Sequence, residues 1–195
     1  MRAGAAGQRG VTLIEVMIAL TVLGVLMTLA IPSFTGFLRN QKIKNAADTT
    51  LDGLNLARAE AIRRNALVRF QFVSSLTSSC AISTTSLNWI VSLSSPAGAC
   101  DSAPGGTNVI QAKSANEGTD GVTVSANGGG AIVFSGLGRV SGTGITQIDF
   151  SFPGGGTCQH AGGEMRCMRV IVSTSGAPKM CDPKVTDTTD PRYCS

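Results

Sequence analysis

The chain has 195 residues, of which 43% are hydrophobic, 14% charged and 5% aromatic, with a formal net charge of +4. So much apolar content beside so little charge excludes a long disordered chain, which needs the opposite balance, and poorly suits a cytosolic enzyme whose surface must stay wet. Length allows one domain, or one domain with an appendage.

The apolar excess sits at the N-terminus. Residues 1–10, MRAGAAGQRG, carry Arg2 and Arg9 and no acid; Val11 to Ile31, VTLIEVMIALTVLGVLMTLAI, contains a single charge, Glu15. As a helix rising about 1.5 Å per residue this run is roughly 31 Å long, one bilayer core. A secretory signal would place its small-residue cleavage site after the run. Here IPSFTGFLRNQ follows, and the small residues stand before it. Cleavage at that earlier place leaves the hydrophobic helix in the mature protein. The basic leader keeps the N-terminus inside, so the bulk of the chain faces outward. A carboxylate at the centre of a membrane helix costs roughly 2.5–3.5 kcal/mol or more. Glu15 is therefore either an interfacial charge near the helix start or one half of a salt bridge to an amine, a neighbouring subunit's included.

From Ser33 to about Asn65 the helix continues. Apolar or small residues recur at Phe34, Phe37, Leu38, Ile43, Ala47, Leu51, Leu54, Ala57 and Ala61, the spacing of an amphipathic helix. Pro32, inside this pattern, reads as a kink and not a stop. After Ala66 the period changes to two: Val68, Phe70 and Phe72 alternate with Arg69 and Gln71, as in a half-buried strand. Further strand candidates are Asn88–Leu93, Val109–Lys113, Val122–Val124, Ala131–Phe134, Thr146–Phe152 and Met168–Ser173, separated by Gly, Ser and Pro clusters such as SSPAGAC, DSAPGG, NGGG and PGGG. The spacing predicts antiparallel meanders forming a β-sheet packed on the helix, an α+β fold. The expected organisation is a leader over 1–10, a membrane helix over 11–31, its amphipathic continuation over 32–65 and a β domain over 66–195.

Six cysteines, Cys80, Cys100, Cys158, Cys167, Cys181 and Cys194, lie in the part that faces outward, where disulfides form. Neighbour pairing, Cys80–Cys100, Cys158–Cys167 and Cys181–Cys194, closes three short Gly/Pro-rich loops, each worth about 2–4 kcal/mol. A zinc site would show close cysteine pairs or histidine partners, but His160 is alone. A cysteine or serine nucleophile would lack a base other than this histidine, and no phosphate-loop pattern occurs. The sequence therefore predicts no enzyme, no metal and no cofactor.

The N-terminal residues resemble the signal of type IV pilins and type II secretion pseudopilins, with Gly10, Thr12, Leu13, Ile14, Glu15 and Pro32 at the family's positions and Val11 where Phe or Met is usual. Within the second half of the helix, LNLARAEAIRRNALVRFQF (Leu54 to Phe72) resembles the L-x-x-A-R-S-E-A-I-R-R-N signature of the GspH/FimT family, Ala59 replacing its Ser. Trp89-Ile90-Val91, and Ile132-Val133-Phe134 followed by Gly138-Arg139, resemble that family's strands. The resemblance implies cleavage after Gly10 by a prepilin peptidase, N-methylation of Val11, and pairing of Glu15 with a subunit amine. It implies a pilin-like protein held in the bacterial inner membrane by a single pass, its domain in the periplasm, and then drawn into a filament. There its helix packs among those of major and minor pilins, and it helps initiate assembly. The Cys181-Asp182-Pro183 turn resembles pilus-type members more than those of type II secretion. A secretion pseudopilin, a DNA receptor for uptake and a tethered domain that never assembles stand as alternatives.

Charge bears on the DNA alternative. Residues 39–69 carry seven Lys/Arg against three acids, and residues 70–195 seven against eight. The helix surplus reads either as solvated charge near a membrane or as an electrostatic surface for DNA, whose phosphate contacts salt removes. Some FimT-like proteins are implicated in DNA uptake through a Gly-Arg-x-Arg stretch. The matching stretch here, Ser175 to Pro183, lacks both arginines and holds Lys179, with Lys184 beyond. Arg166 and Arg169, on or beside the preceding strand, offer a partial substitute.

Overall fold

The computed structural model describes residues 10–102, 104, 108–115 and 117–194, without the side chains of 29–33. The chain divides into two units, up to Leu38 and from Arg39 on. Helix α1 (Leu13–Arg64) supplies the regular structure of the first unit and opens the second, and the backbone stays helical through Pro32.

Within the second unit one stripe of α1 is fully buried: Ile43, Ala46, Ala47, Thr50, Leu54, Ala57 and Ala61, three or four residues apart. Its residues are mostly small, which lets a sheet approach the helix closely. The closest approach is at Gly53, where a Cβ would lie 2.9 Å from Phe70 Cε2 and 3.0 Å from the Trp89 indole. Phe34, Phe37 and Leu38, on the same sequence pattern, belong to the first unit and are exposed. The helix ends at Asn65, whose φ of 46° is left-handed, a conformation Asn tolerates better than most side chains.

Eight strands follow: β1 (Val68–Val73), β2 (Asn88–Ser92), β3 (Val109–Lys113), β4 (Thr123–Ala126), β5 (Ala131–Phe134), β6 (Gln147–Ser151), β7 (Met168–Val172) and β8 (Pro178–Cys181). They form two antiparallel four-stranded sheets, in the orders β3-β2-β1-β5 and β4-β6-β7-β8. The expected α+β class with a long N-terminal helix and antiparallel strands stands, but the single sheet is replaced by two. The chain changes sheets between β4 and β5, at Asn127–Gly130. Gly128 and Gly130 have positive φ there, and a Cβ on either would fall 2.1 Å from the carbonyl oxygen of Gly144 or Ser83. Only glycine permits so tight a passage.

Both sheets contribute to the core around the helix stripe: Phe70, Phe72, Trp89, Ile132 and Phe134 from the first, Ile148, Phe150, Val170 and Val172 from the second. Phe70 stands edge-on to Phe72 at 5.2 Å and tilted against Trp89 at 5.6 Å, offsets that suit the ring quadrupoles. A smaller core of Val73, Cys80, Ile90, Cys100 and Val109 covers the opposite face of the first sheet. β1 is therefore covered on both faces, where its alternation predicts only one. Gln71, read as the solvent-facing position, is fully buried, and neither end of its amide has a partner among the described residues. Disulfides join Cys80 to Cys100, Cys158 to Cys167 and Cys181 to Cys194, with Cα separations of 6.0, 5.5 and 5.2 Å.

Alanine is the better helix former by about 1 kcal/mol, but forcing a methyl into a filled core costs about 1–3 kcal/mol. Gly53→Ala is therefore expected to lower stability, and Gly53→Val to lower it further. Chemical denaturation of the two variants checks this; an unchanged or raised midpoint would contradict the tight approach.

Candidate functional site

At the N-terminus Gly10 and Val11 are exposed, and nothing lies within 4 Å of a Cβ built on Gly10. Residues 1–9, the rest of the expected leader, lie outside the described residues. Thr12 caps α1: its Oγ1 accepts the backbone N–H of Glu15 at 3.3 Å, and its carbonyl accepts that of Val16 at 3.2 Å. Thr-x-x-Glu is the spacing of a capping box, and the Glu15 carboxylate in the first turn suits the positive end of the helix dipole. The Thr-Leu-Ile-Glu pattern thus has a local reason in helix initiation, and the Glu15 side chain remains exposed.

Around Glu15 the helix is apolar on every side. Leu13, Ile14, Val16, Met17, Ile18, Leu20, Val22 and Leu23 are all exposed. Such neighbours point in every direction around the axis, so no rotation of the helix hides them. A helix of this kind is at home in lipid or among other helices. Among the described residues no helix is long and apolar enough to cross a membrane; the described side chains of the apolar run stop at Thr28, and 29–31, which complete it, are not among them.

In the second unit the stretch from Leu54 to Phe72 resolves into separate duties. Ala57 and Ala61 are core residues. Arg58 Nε donates to the Gly138 carbonyl at 3.0 Å, tying the helix to the 135–139 turn. Glu60 accepts from Arg63 Nη2 at 2.7 Å and Nε at 3.0 Å, and from Arg64 Nε at 2.7 Å. These bonds, that from Arg63 first, draw the Glu60 carboxyl down from 4.5 to about 2.

The four cations weighed for DNA are placed differently from one another. Arg166 Nε meets Asp182 Oδ2 at 3.0 Å, and Arg169 Nε meets Asp149 Oδ1 at 2.6 Å. Lys179 Nζ donates to the Tyr193 carbonyl at 3.0 Å. Lys184 contributes its backbone N–H to Asp182 at 3.0 Å. Neither arginine is thus a bare charge. The stretch matched to the Gly-Arg-x-Arg positions, Ser175 to Pro183, contains strand β8, which pairs with β7 from Arg169↔Cys181 to Val172↔Pro178. Sequence reasoning also missed Asp182, a buried acid that accepts from Arg166 and the Lys184 N–H; its pairing with a residue on another element leaves no local signal. Beside it, a groove of about 240 Å3 has Met168 and Met180 in its lining, with Lys44, Arg166, Asp182 and Arg192. Among the described residues no group of three His, Cys, Asp or Glu side chains could hold a metal ion.

An exposed, capped apolar helix running into a two-sheet domain defines the pilin-like class. The chain belongs to the GspH family: the profile described as "Type II transport protein GspH" matches residues 46–176, and that of the "Prokaryotic N-terminal methylation motif" matches residues 6–31. This is the family of minor pilins and pseudopilins of type IV pili and type II secretion, structural proteins without catalytic activity that are anchored in a membrane and associate with other pilins in a filament. Two crystal structures of the type IV minor pilin FimU of Pseudomonas aeruginosa are similar, at 10% and 11% identity and TM-scores of 0.46 and 0.49. They cover 74% and 78% of this chain and 97% of theirs. With both scores below 0.5, this likeness adds nothing to the family assignment. No curated protein sequence matches the chain.

Because the folded-state value of Glu60 lies below its ordinary one, its stabilisation is fully present above about pH 4.5 and is lost as pH falls toward 2. Glu60→Gln is expected to be the less stable protein at neutral pH. The gap between it and the wild type should narrow across that window in urea titrations; a gap independent of pH would refute the ion-paired role.

Proposed function

We propose that this chain is a minor pilin that enters a type IV pilus and helps initiate its assembly. A prepilin peptidase removes residues 1–10 after Gly10, and Val11 becomes the N-methylated amino terminus. Residues 11–31 hold the protein in the inner membrane with its domain in the periplasm. Residues 32–65 carry the helix into the domain of residues 66–195, and the machine then moves the helix from lipid into the filament core. The observation that carries this reading is the helix start itself: a chain of the pilin family exposes apolar side chains on every side of the helix immediately after Gly10.

Apolar side chains lose little in passing from lipid to a bundle of helices, since both surroundings are apolar. They therefore supply little register. A carboxylate in such surroundings is costly until it is paired, so Glu15 favours the one axial position at which it meets a neighbouring subunit's amine. One observation favours a second reading, a pseudopilin of type II secretion: the matched family profile is described by that system. The same helix would then serve a shorter periplasmic filament.

Glu15→Ala is expected to reduce the amount of this protein recovered in sheared filaments and to lower filament number, while the thermal unfolding of the domain stays as in the wild type. Unchanged incorporation would sink the pairing role. Deleting the gene in a host that has both systems separates the two readings, by loss of piliation or of secreted enzyme.

A further inference from the structure

We infer that the corner of the domain where α1 ends is a docking surface for an acidic protein segment with an apolar anchor. Three large apolar side chains are exposed there: Ile62 at 51%, Leu67 at 55% and Leu137 at 82%. Two glycines bring the 135–139 turn onto the helix end. A Cβ on Gly138 would lie 2.7 Å from Ile62 Cδ1, and one on Gly136 would lie 2.5 Å from Asn65 Oδ1. Leu137 stands between these two contacts. Leu67 follows the helix terminus and precedes Val68, which pairs with Phe134 at the foot of the same turn. The turn is held by its backbone and by other side chains: Gly138 N–H to Ser135 O at 2.8 Å, Ser135 N–H to Arg139 O at 2.8 Å, and Arg58 to Gly138 O at 3.0 Å. None of these bonds needs an apolar side chain at Leu137.

Charge names the partner. Residues 39–195 carry 14 Lys/Arg and 11 Asp/Glu, a surplus of three. Arg58, Arg63, Arg64 and Arg139 against Glu60 account for all three at this corner, and the rest of the unit holds ten charges of each sign. Every one of these cations is arginine, whose planar fork binds carboxylates bidentately and is enriched at protein interfaces. Phosphate would also satisfy a guanidinium, but the centre of the patch is aliphatic. Among the described residues of this unit the exposed large hydrophobics are Ile62, Leu67, Ile82 and Leu137, which offer a base no aromatic ring to stack on. An acidic segment that inserts one apolar side chain beside Leu137 and lays a carboxylate on exposed Arg139, drawn by the positive charge that Arg63 and Arg64 keep after sharing Glu60, satisfies both features.

In naming a neighbouring subunit as the bearer of that segment, the inference rests on the filament reading; the patch itself is read from this chain alone. The test uses the full chain in nonionic detergent and a labelled peptide alternating glutamate with leucine, followed by fluorescence anisotropy. Binding is expected to weaken with salt, and to fall about tenfold or more, roughly one step of 1.4 kcal/mol, in Leu137→Asp and in Arg139→Glu, with thermal unfolding unchanged. No binding, or binding indifferent to both substitutions, overturns the proposal. So does tighter binding of a DNA duplex or of phosphatidylglycerol vesicles that the same substitutions abolish. The readout is independent of assembly. Peptide binding that needs Leu137, beside a wild-type chain absent from sheared filaments, would retain the surface and reject the filament reading; a chain present in filaments whose peptide binding ignores Leu137 and Arg139 would do the opposite.

Discussion

The domain depends on one close approach, that of α1 to the first sheet at Gly53. The buried stripe of α1 is built mainly from alanines with a glycine at its centre, so the backbone itself comes near the rings of Phe70 and Trp89. Aromatic side chains of β1 and β2 then fill space that larger helix residues would have occupied. The second sheet contributes Ile148, Phe150 and Val170 to the same core. Among the described residues the first unit has nothing of this kind. Its described side chains, from Val11 to Thr28 and at Phe34, Phe37 and Leu38, are exposed, so among the described residues α1 satisfies its hydrophobic surface within the chain over its later turns and leaves that of its earlier turns to its surroundings.

Much of this was legible in the sequence, because it is local. The period of three to four through Ile43–Ala61 and the period of two through Val68–Phe72 depend only on side-chain order, and the structure has a helix and a strand in those places. What the periods could not reveal is what covers the second face of a strand. Gln71 looks solvent-facing beside its apolar neighbours, and is buried because the small core of Cys80, Ile90 and Cys100 lies over that side. The split into two sheets was hidden for a similar reason. NGGG reads as a turn either way, and only the pairing of β4 with β6 and of β5 with β1 shows that the chain changes sheets there. β8 was illegible because Pro178, Lys179 and Met180 carry no alternation, and its place is set by pairing with β7.

The candidate sites divide along the same line. Gly10, Val11 and Glu15 are marked by residue type at fixed spacing, and the structure adds that Thr12 and Glu15 also serve the first turn of the helix. The cations did not sort themselves by sequence. Arg166 and Arg169 looked open and meet carboxylates from other elements. Arg58, Arg63, Arg64 and Arg139 come from two distant stretches and gather at one corner because the 135–139 turn folds back on the helix end.

The last segment of the chain has a further consequence. β8 is the outermost strand of its sheet, and residues 182–194 return alongside it, with Asp182 N–H bonded to the Arg192 carbonyl, Lys179 to that of Tyr193, and Cys181 joined to Cys194. The outer strand of the first sheet, β5, is flanked likewise: Ser141 N–H reaches Val133 O and Ile145 N–H reaches Ala131 O. An open sheet edge is a template on which any extended chain can grow a further strand, the usual beginning of uncontrolled aggregation. The β5 template is thus occupied by the protein's own backbone, and the β8 edge is flanked by a segment held through the Lys179 side chain, a disulfide and one backbone bond just past the strand. A domain of the pilin family, whose members associate with other pilins in a filament, is thereby guarded at the β5 edge against sticking to a neighbour by the wrong surface.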